Sequence, residues 1–275
     1  MYGNYFGIVL NSQTLGSNYN LLTITNNKIY NNIWPGMVLL NCSNSYFESN
    51  YIYENGDEGI YLGSSLNNTF TNNTAKSNNG SGIVLGASSN NTLINNTANS
   101  NSWSGIYLID NSNFNNISNN KISNNTQGIT MTNCNPWGCY GENINNTLQG
   151  NEISNNNIGI YSQNSSSIIN SNTVCGNVIL DFNSSNWLSS SGDNNTCDKP
   201  EGWNDDGING CWYTCSGFSR ICDLNQNGII IQDYNDLMSA YKCFLGIENC
   251  NKINYQNWNL MKQEYECFTN INNKQ

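Results

Sequence analysis

Histidine is absent from this 275-residue chain, arginine occurs once, at Arg220, and only 10% of residues are charged. Without histidine, the commonest metal ligand and proton shuttle is missing, so any such chemistry falls to carboxylates, thiols or thioethers. A net charge of −10, with Lys28, Lys76 and Lys121 scattered far apart along the chain, excludes nucleic acid as a partner. The same scatter makes acidic polysaccharides poor candidates for tight binding. No apolar run approaches the ~20 residues that span a bilayer. Met1 is followed by no basic start, apolar stretch or cleavage site, so a signal peptide is absent and the expectation is a truncated N-terminus with further coils upstream.

What the chain has is a ruler. Gly36, Gly59, Gly82, Gly105 and Gly128 recur every 23 residues, each followed by Ile or Met, any residue, then Leu or Met. Position one after each Gly reads Met37, Ile60, Ile83, Ile106 and Ile129; position three reads Leu39, Leu62, Leu85, Leu108 and Met131. Weaker copies stand at Gly7 and Gly159, with long insertions in the first and sixth units. A fixed period of this length predicts a solenoid, because one unit cannot bury its apolar strip alone. Short Ile-, Val-, Tyr- and Thr-rich segments broken by Asn, Gly and Ser make the units strands rather than helices. Asn50, Asn73, Asn96 and Asn119, and again Asn55, Asn78, Asn101 and Asn124, are expected to form corner ladders, since Asn tolerates the left-handed conformation and stacked amides hydrogen-bond from coil to coil.

The pattern in Gly82-Ile83-Val84-Leu85, Asn90-Asn91-Thr92-Leu93 and Asn95-Asn96-Thr97 resembles the right-handed parallel β-helix repeats of the NosD-like, pectin-lyase-like group, over residues 1–190. The fold this implies is an all-β, right-handed parallel β-helix of about seven coils. That fold hosts lyases, hydrolases, epimerases, adhesins and tailspikes, so it does not by itself give a function. NosD-like proteins are associated with copper delivery; here no His is present and Met37, Met131, Met238 and Met261 are far apart, so copper handling is rejected.

Eleven Cys and many Asn-x-Ser/Thr sequons point to an extracellular or cell-surface glycoprotein in an oxidising setting. Near residue 190 the repeats give way to a Cys- and Trp-rich stretch, 191–219, read as a disulfide-stapled cap or linker containing Cys197, Cys211 and Cys215, with Cys175 of the last coil a partner for one of them. A zinc knot is the alternative, but paired Cys-x-x-Cys spacing is missing. Cys134 and Cys139 are expected to close a small loop presenting Trp137 and Tyr140, which leaves Cys42 as a buried unpaired thiol.

Residues 220–275 form a third unit, predicted to be small, helical and disulfide-rich. Asp223, Asn225, Asn227, Gly228, Ile229 and Asp233 follow the plan of an EF-hand calcium loop, although Tyr234 occupies the twelfth position, where an acid completes the shell. Leu237, Met238, Tyr241 and Phe244 stand at helical spacing behind it. Leu260, Met261, Tyr265 and Phe268 repeat that pattern, so the unit resembles a dockerin, which implies one calcium ion at most and a cohesin-like partner. Cys222 with Cys267, and Cys243 with Cys250, are the expected staples.

Residues two after each Gly point away from the core and read Val9, Val38, Tyr61, Val84, Tyr107, Thr130 and Tyr161. Tyr61 and Tyr107, two coils and about 10 Å apart, match a disaccharide. Trp34 and Trp103 stand at the edge of this face with Asp57 and Glu58, while Asp110 lies on its far side. The bland reading is that Tyr and Val are good exposed strand residues and that acids keep a corner soluble. Asp57, Glu58 and Asp110 are the only candidates for a carboxylate pair able to hydrolyse a glycoside. A lyase also needs a base beside the acids, and no Lys or Arg stands there.

The sequence therefore predicts recognition of a glycan or surface protein by the Tyr61 and Tyr107 face. The alternatives are a polysaccharide hydrolase or lyase with some catalytic coils missing, and a purely structural spine.

Overall fold

The computed structural model describes residues 4–11, 19–135, 138–139, 141–184, 186–187 and 190–216. The C-terminal unit, with calcium-loop residues Asp223, Asn225, Asn227, Ile229 and Asp233 and cysteines Cys222, Cys243, Cys250 and Cys267, lies outside them, as does Trp137. All regular structure among the described residues is strand, so no helix there is long and apolar enough to cross a membrane.

The chain winds into a parallel β-solenoid of about seven coils with three long sheets. The first sheet has eight strands, running from Ile8–Asn11 through Met37–Leu40, Ile60–Gly63, Ile83–Gly86, Ser104–Ile109, Gln127–Thr132 and Ile158–Gln163 to Leu180–Ser184. The second and third sheets have seven strands each, beginning at Thr23–Thr25 and at Lys28–Tyr30. Pairing follows the 23-residue ruler: Met37 opposes Ile60, Ile83 opposes Ile60 and Ile106, and Ile106 opposes Ile129. The residues one and three after each repeated Gly are all fully buried, as the alternation of strand side chains requires. The second sheet adds Phe47 stacked on Phe70, with ring centroids 4.5 Å apart, and the third adds Ile52, Ala75 and Ala98.

The eighth strand of the first sheet carries no Gly-Ile-x-Leu signature. Phe182 takes the place of the repeated Ile and pairs with Ile160. Packing against Trp203 at 5.2 Å, it joins the solenoid to residues 190–216. That segment continues the ladders of the last coil through bridges between Ile168 and Ser191, and Thr173 and Thr196. Two disulfides bind it, Cys175–Cys215 and Cys197–Cys211.

The corners depart from the sequence reading in two respects. First, the left-handed residue and the ladder residue are neighbours, not one residue. Asn72 and Asn95 have φ of 56° and 55° and are exposed, while Asn73 and Asn96 beside them are buried and stacked. Second, a one-residue insertion in the fifth coil moves the ladder to Asn120 and Asn125; Asn119 and Asn124 are instead the exposed left-handed residues, with φ of 55° and 56°. The insertion is offset before Gly128, so the sheet register is untouched.

Each ladder Asn donates through Nδ2 to Oδ1 of the Asn one coil on. Asn73 to Asn96 is 3.1 Å, and Asn96 to Asn120 is 3.1 Å. A third column, Asn68, Asn91, Asn115 and Asn146, follows the same rule. All these amides point one way, so each column ends toward the C-terminus with unspent N–H donors. A buried carboxylate receives them in two cases: Asn195 Nδ2 donates to Asp205 Oδ1 at 2.6 Å, and Asn177 Nδ2 to Asp181 Oδ1 at 2.9 Å. A carboxylate accepts such aligned donors more strongly than a neutral group would.

Candidate functional site

The outward column of the first sheet is Val9, Val38, Tyr61, Val84, Tyr107, Thr130, Tyr161 and Asn183, each paired with the next by register. It is less open than exterior strand positions suggest. Val38, Val84 and Thr130 are 9%, 4% and 4% exposed, and Tyr61, Tyr107 and Tyr161 are half-buried. The Tyr61 ring lies along the sheet, over Gly63 and Gly86. Gly63 and Gly86 make this possible: a Cβ on either would sit 3.1 Å from the Tyr61 ring or its hydroxyl.

Toward the C-terminal end the column forms the floor of a groove of about 450 Å³, lined by Trp103, Tyr107, Thr130, Tyr161, Gln127 and Gln163 among others. Trp103, 65% exposed, is one wall. Its N–H donates to Gly80 O at 3.2 Å and its carbonyl accepts from Gln127 N at 3.1 Å, so the corner backbone fixes the indole's base. The polar groups of the groove are ordered. Thr130 Oγ1 donates to Gln127 Oε1, Ser104 Oγ lies 2.8 Å from Thr130 Oγ1, and Tyr161 Oη donates to Gln163 Oε1 at 2.8 Å. With their carbonyls so engaged, both glutamines keep amide N–H groups for a ligand acceptor.

Around Tyr61 the column is acidic. Glu58 is half-buried, and burial first, with the adjacent Asp57 carboxyl second among the raising causes, pushes its acid from the usual 4.5 up to about 7. The Tyr61 hydroxyl is raised by burial, then by Asp110 and Glu58; the Tyr107 hydroxyl by burial, then by Asp110 and Tyr161. Asp110 and Glu58 thus both act on Tyr61 from the two sides of the strand. Asp57 and Glu58 are held from the next coil, where Gly80 packs against their backbone so closely that a Cβ would meet it at 2.8 Å. Glu58, raised to about 7, keeps part of its proton near neutral pH, and it and the exposed Asp110 both act on the Tyr61 hydroxyl.

The structure thus brings Tyr61, Tyr107, Tyr161, Trp103, Asp57, Glu58 and Asp110 to one face. Trp34, 49% exposed, stands at its edge three coils from Trp103, outside the groove. Gln127 and Gln163 were missed by the sequence reading, which had placed Thr130 on this face; their only signal was their place one residue before Gly128 and four after Gly159. A larger recess, about 1,030 Å³, lies at the N-terminal end of the solenoid, lined by Gly7, Ile8, Asn27, Ile29 and Asn32 among others. Lys28, Tyr30 and Glu54 of the third-sheet side also line it. Cys134 and Cys139 are cross-strand partners in a two-stranded antiparallel ladder beyond the sixth coil. Cys42 is buried and free, and burial raises its thiol to about 11. Among the described residues no cluster of three or more acids or thiols is arranged for a metal ion.

Fold and site define a parallel β-solenoid with an aromatic and polar groove on one sheet and acids farther along the same face. A family model described as right handed beta helix region matches residues 6–143, 138 of 275 residues and so just over half, and the chain belongs to that family. No curated protein matches. Among solved structures it is similar to a double mutant of the periplasmic alginate epimerase AlgG, at 19% identity over 69% of this chain and 47% of that one, with a TM-score of 0.60. It is also similar to the A-module of the Azotobacter vinelandii mannuronan C-5 epimerase AlgE4, at 19% identity over 70% of this chain and 57% of that one, with a TM-score of 0.55. The chain spans about half the length of these proteins. At such identity the likeness carries the fold alone.

Proposed function

We propose that this protein recognises a glycan through the first-sheet groove, working outside the cell or on its surface. The observation that carries the reading is the groove itself: Trp103, Tyr107 and Tyr161 offer ring faces, while Gln127 and Gln163 offer amide donors whose carbonyls are already engaged. Aromatic faces with fixed polar groups suit a pyranose, which has an apolar face and a rim of hydroxyls. The two cap disulfides support an oxidising location. The neighbours that act on alginate or mannuronan agree with a carbohydrate ligand.

A glycan array followed by titration calorimetry tests it. Trp103→Ala and the Tyr107→Ala/Tyr161→Ala pair are expected to weaken binding at least tenfold, while the buried fold stays intact by circular dichroism. Unchanged affinity in both variants overturns the reading.

A second reading, a carbohydrate-active enzyme, is favoured by one observation, the Glu58 acid raised to about 7 on the face where Asp110 acts on the same Tyr61 hydroxyl. It predicts altered or shortened products from a polysaccharide panel, lost in Glu58→Gln. The calcium-loop and dockerin-like tail belongs to the same proposal as an attachment module, and calcium-dependent binding of an isolated cohesin is its test.

A further inference from the structure

The outer face of the third sheet carries a second aromatic cluster, far round the coil from the groove. Tyr30 stacks on Tyr53 with ring centroids 4.9 Å apart and planes 10° from parallel, and Tyr51 tilts against Tyr53 at 4.8 Å. Tyr30 and Tyr51 are 49% and 37% exposed. Strand propensity does not account for them, because the same outward positions on the next coils are Thr74, Thr97, Asn99, Ser123 and Ser154. Large rings are confined to one end of a face that elsewhere carries Thr, Asn and Ser with the charged Lys76, Lys121 and Glu152.

The register also places the lysines, which are far apart in sequence. Lys28 pairs with Tyr51, Lys76 with Tyr53, and Lys121 with Thr97, so all three stand on this one face. Lys121 is engaged by Glu152 at 3.6 Å. Lys28 and Lys76 are exposed and have no ion-pair partner among the described residues. They flank the tyrosines, two strands and so about 10 Å apart along the axis. Glu54, next to Tyr53, is the acid nearest the rings. In a chain of net charge −10 this is the one place on the described coils where two unpaired cations frame an aromatic cluster.

We infer that Lys28, Tyr30, Tyr51, Tyr53 and Lys76 form a second glycan-binding surface, distinct from the groove, that takes a uronate oligosaccharide. The ring faces pack against the pyranose faces and the two ammonium groups meet carboxylates on sugars two units apart. Two lysines beside rings select an anionic ligand over a neutral or cationic one.

Titration calorimetry with a uronate hexasaccharide, using its carboxyl-reduced neutral counterpart as control, tests this. The uronate is expected to bind, more weakly as salt rises, and the neutral sugar at least tenfold less well. The Lys28→Gln/Lys76→Gln double variant, altering two exposed side chains, should lose at least tenfold in affinity, and Tyr53→Ala a similar amount. Absence of uronate binding, equal binding of the reduced sugar, or wild-type affinity in the lysine double variant each overturns the inference. Loss of binding in Tyr107→Ala alone assigns the uronate to the groove and overturns it as well.

Discussion

At the scale of single residues, the chemistry turns on two side chains that burial has moved in the same direction. Glu58 in the folded protein holds its proton up to about 7, against 4.5 for an ordinary glutamate. The folded state therefore binds that proton more tightly than the unfolded chain, and the effect on stability has a definite sign. Stability from this group is fully present below about pH 4.5 and is lost as pH rises through about 7. Because Glu58 is partly open to water, the loss is on the order of 1 kcal/mol. Glu58→Gln should remove it, so urea denaturation of wild type and variant at pH 4.5 and pH 8 is expected to show a pH-dependent gap that closes at low pH. Cys42 gives the second prediction. Its thiol, fully buried and raised to about 11, should be inert to a thiol reagent in the native protein at pH 8 and react once the chain is unfolded.

At the scale of the elements, the two neighbouring asparagines at each corner have separable jobs. Asn96 accepts from Asn73 N and Nδ2, and donates to Phe70 O and Asn120 Oδ1. Replacing it by Ala strands all four partners in the interior, at a cost of about 3 kcal/mol by chemical denaturation. Asn95→Gly, at an exposed left-handed position, should move stability by only about 0.5 kcal/mol. The contrast shows how far sequence carried the fold. The 23-residue period gave both inward positions of the first sheet and the existence of the ladders, because pairing and stacking share one repeat. It misplaced Asn119 and Asn124, because a one-residue slip inside a coil leaves the Gly spacing unchanged. The same period aligns Lys28 with Tyr51 and Lys76 with Tyr53. Scatter along the chain is not scatter on a solenoid.

At the scale of the whole molecule, stability is a sum over stacked coils closed at one end by residues 190–216. The sequence pointed to a stapled cap with Cys175 as a partner, but not to its packing, since Phe182, Trp187 and Trp203 carry no repeat signal and meet only in three dimensions, with centroids 5.0 to 6.0 Å apart. Asp181 and Asp205, which end the amide columns, were equally silent. Reducing Cys175–Cys215 and Cys197–Cys211 should destabilise this end by about 3 kcal/mol for each bond, read as an early tryptophan-fluorescence transition that precedes loss of the strand signal.

The repeat also makes a stricter demand. Residues 82–104 are one full period, so their removal brings Gly105 to the place of Gly82, sets Ile106 against Ile60 and Leu108 against Leu62, and lets Asn120 replace Asn96 above Asn73. Every inward position and ladder contact is kept, and the shortened chain should fold cooperatively with a proportionately lower stability. Deleting 82–103 instead leaves one extra residue in the splice, so every inward side chain of one first-sheet strand is turned outward or its corner must bulge. That variant should denature at markedly lower urea or fail to fold. The in-register deletion also brings the Tyr61 and Tyr107 strands from two spacings apart to one, about 5 Å. Ile109 then stands where Gly86 had left room beneath the Tyr61 hydroxyl. Residues 82–104 also include Trp103, the wall of the groove, so the shortened protein should lose glycan affinity while it remains folded, which separates the recognition surface from the scaffold that carries it.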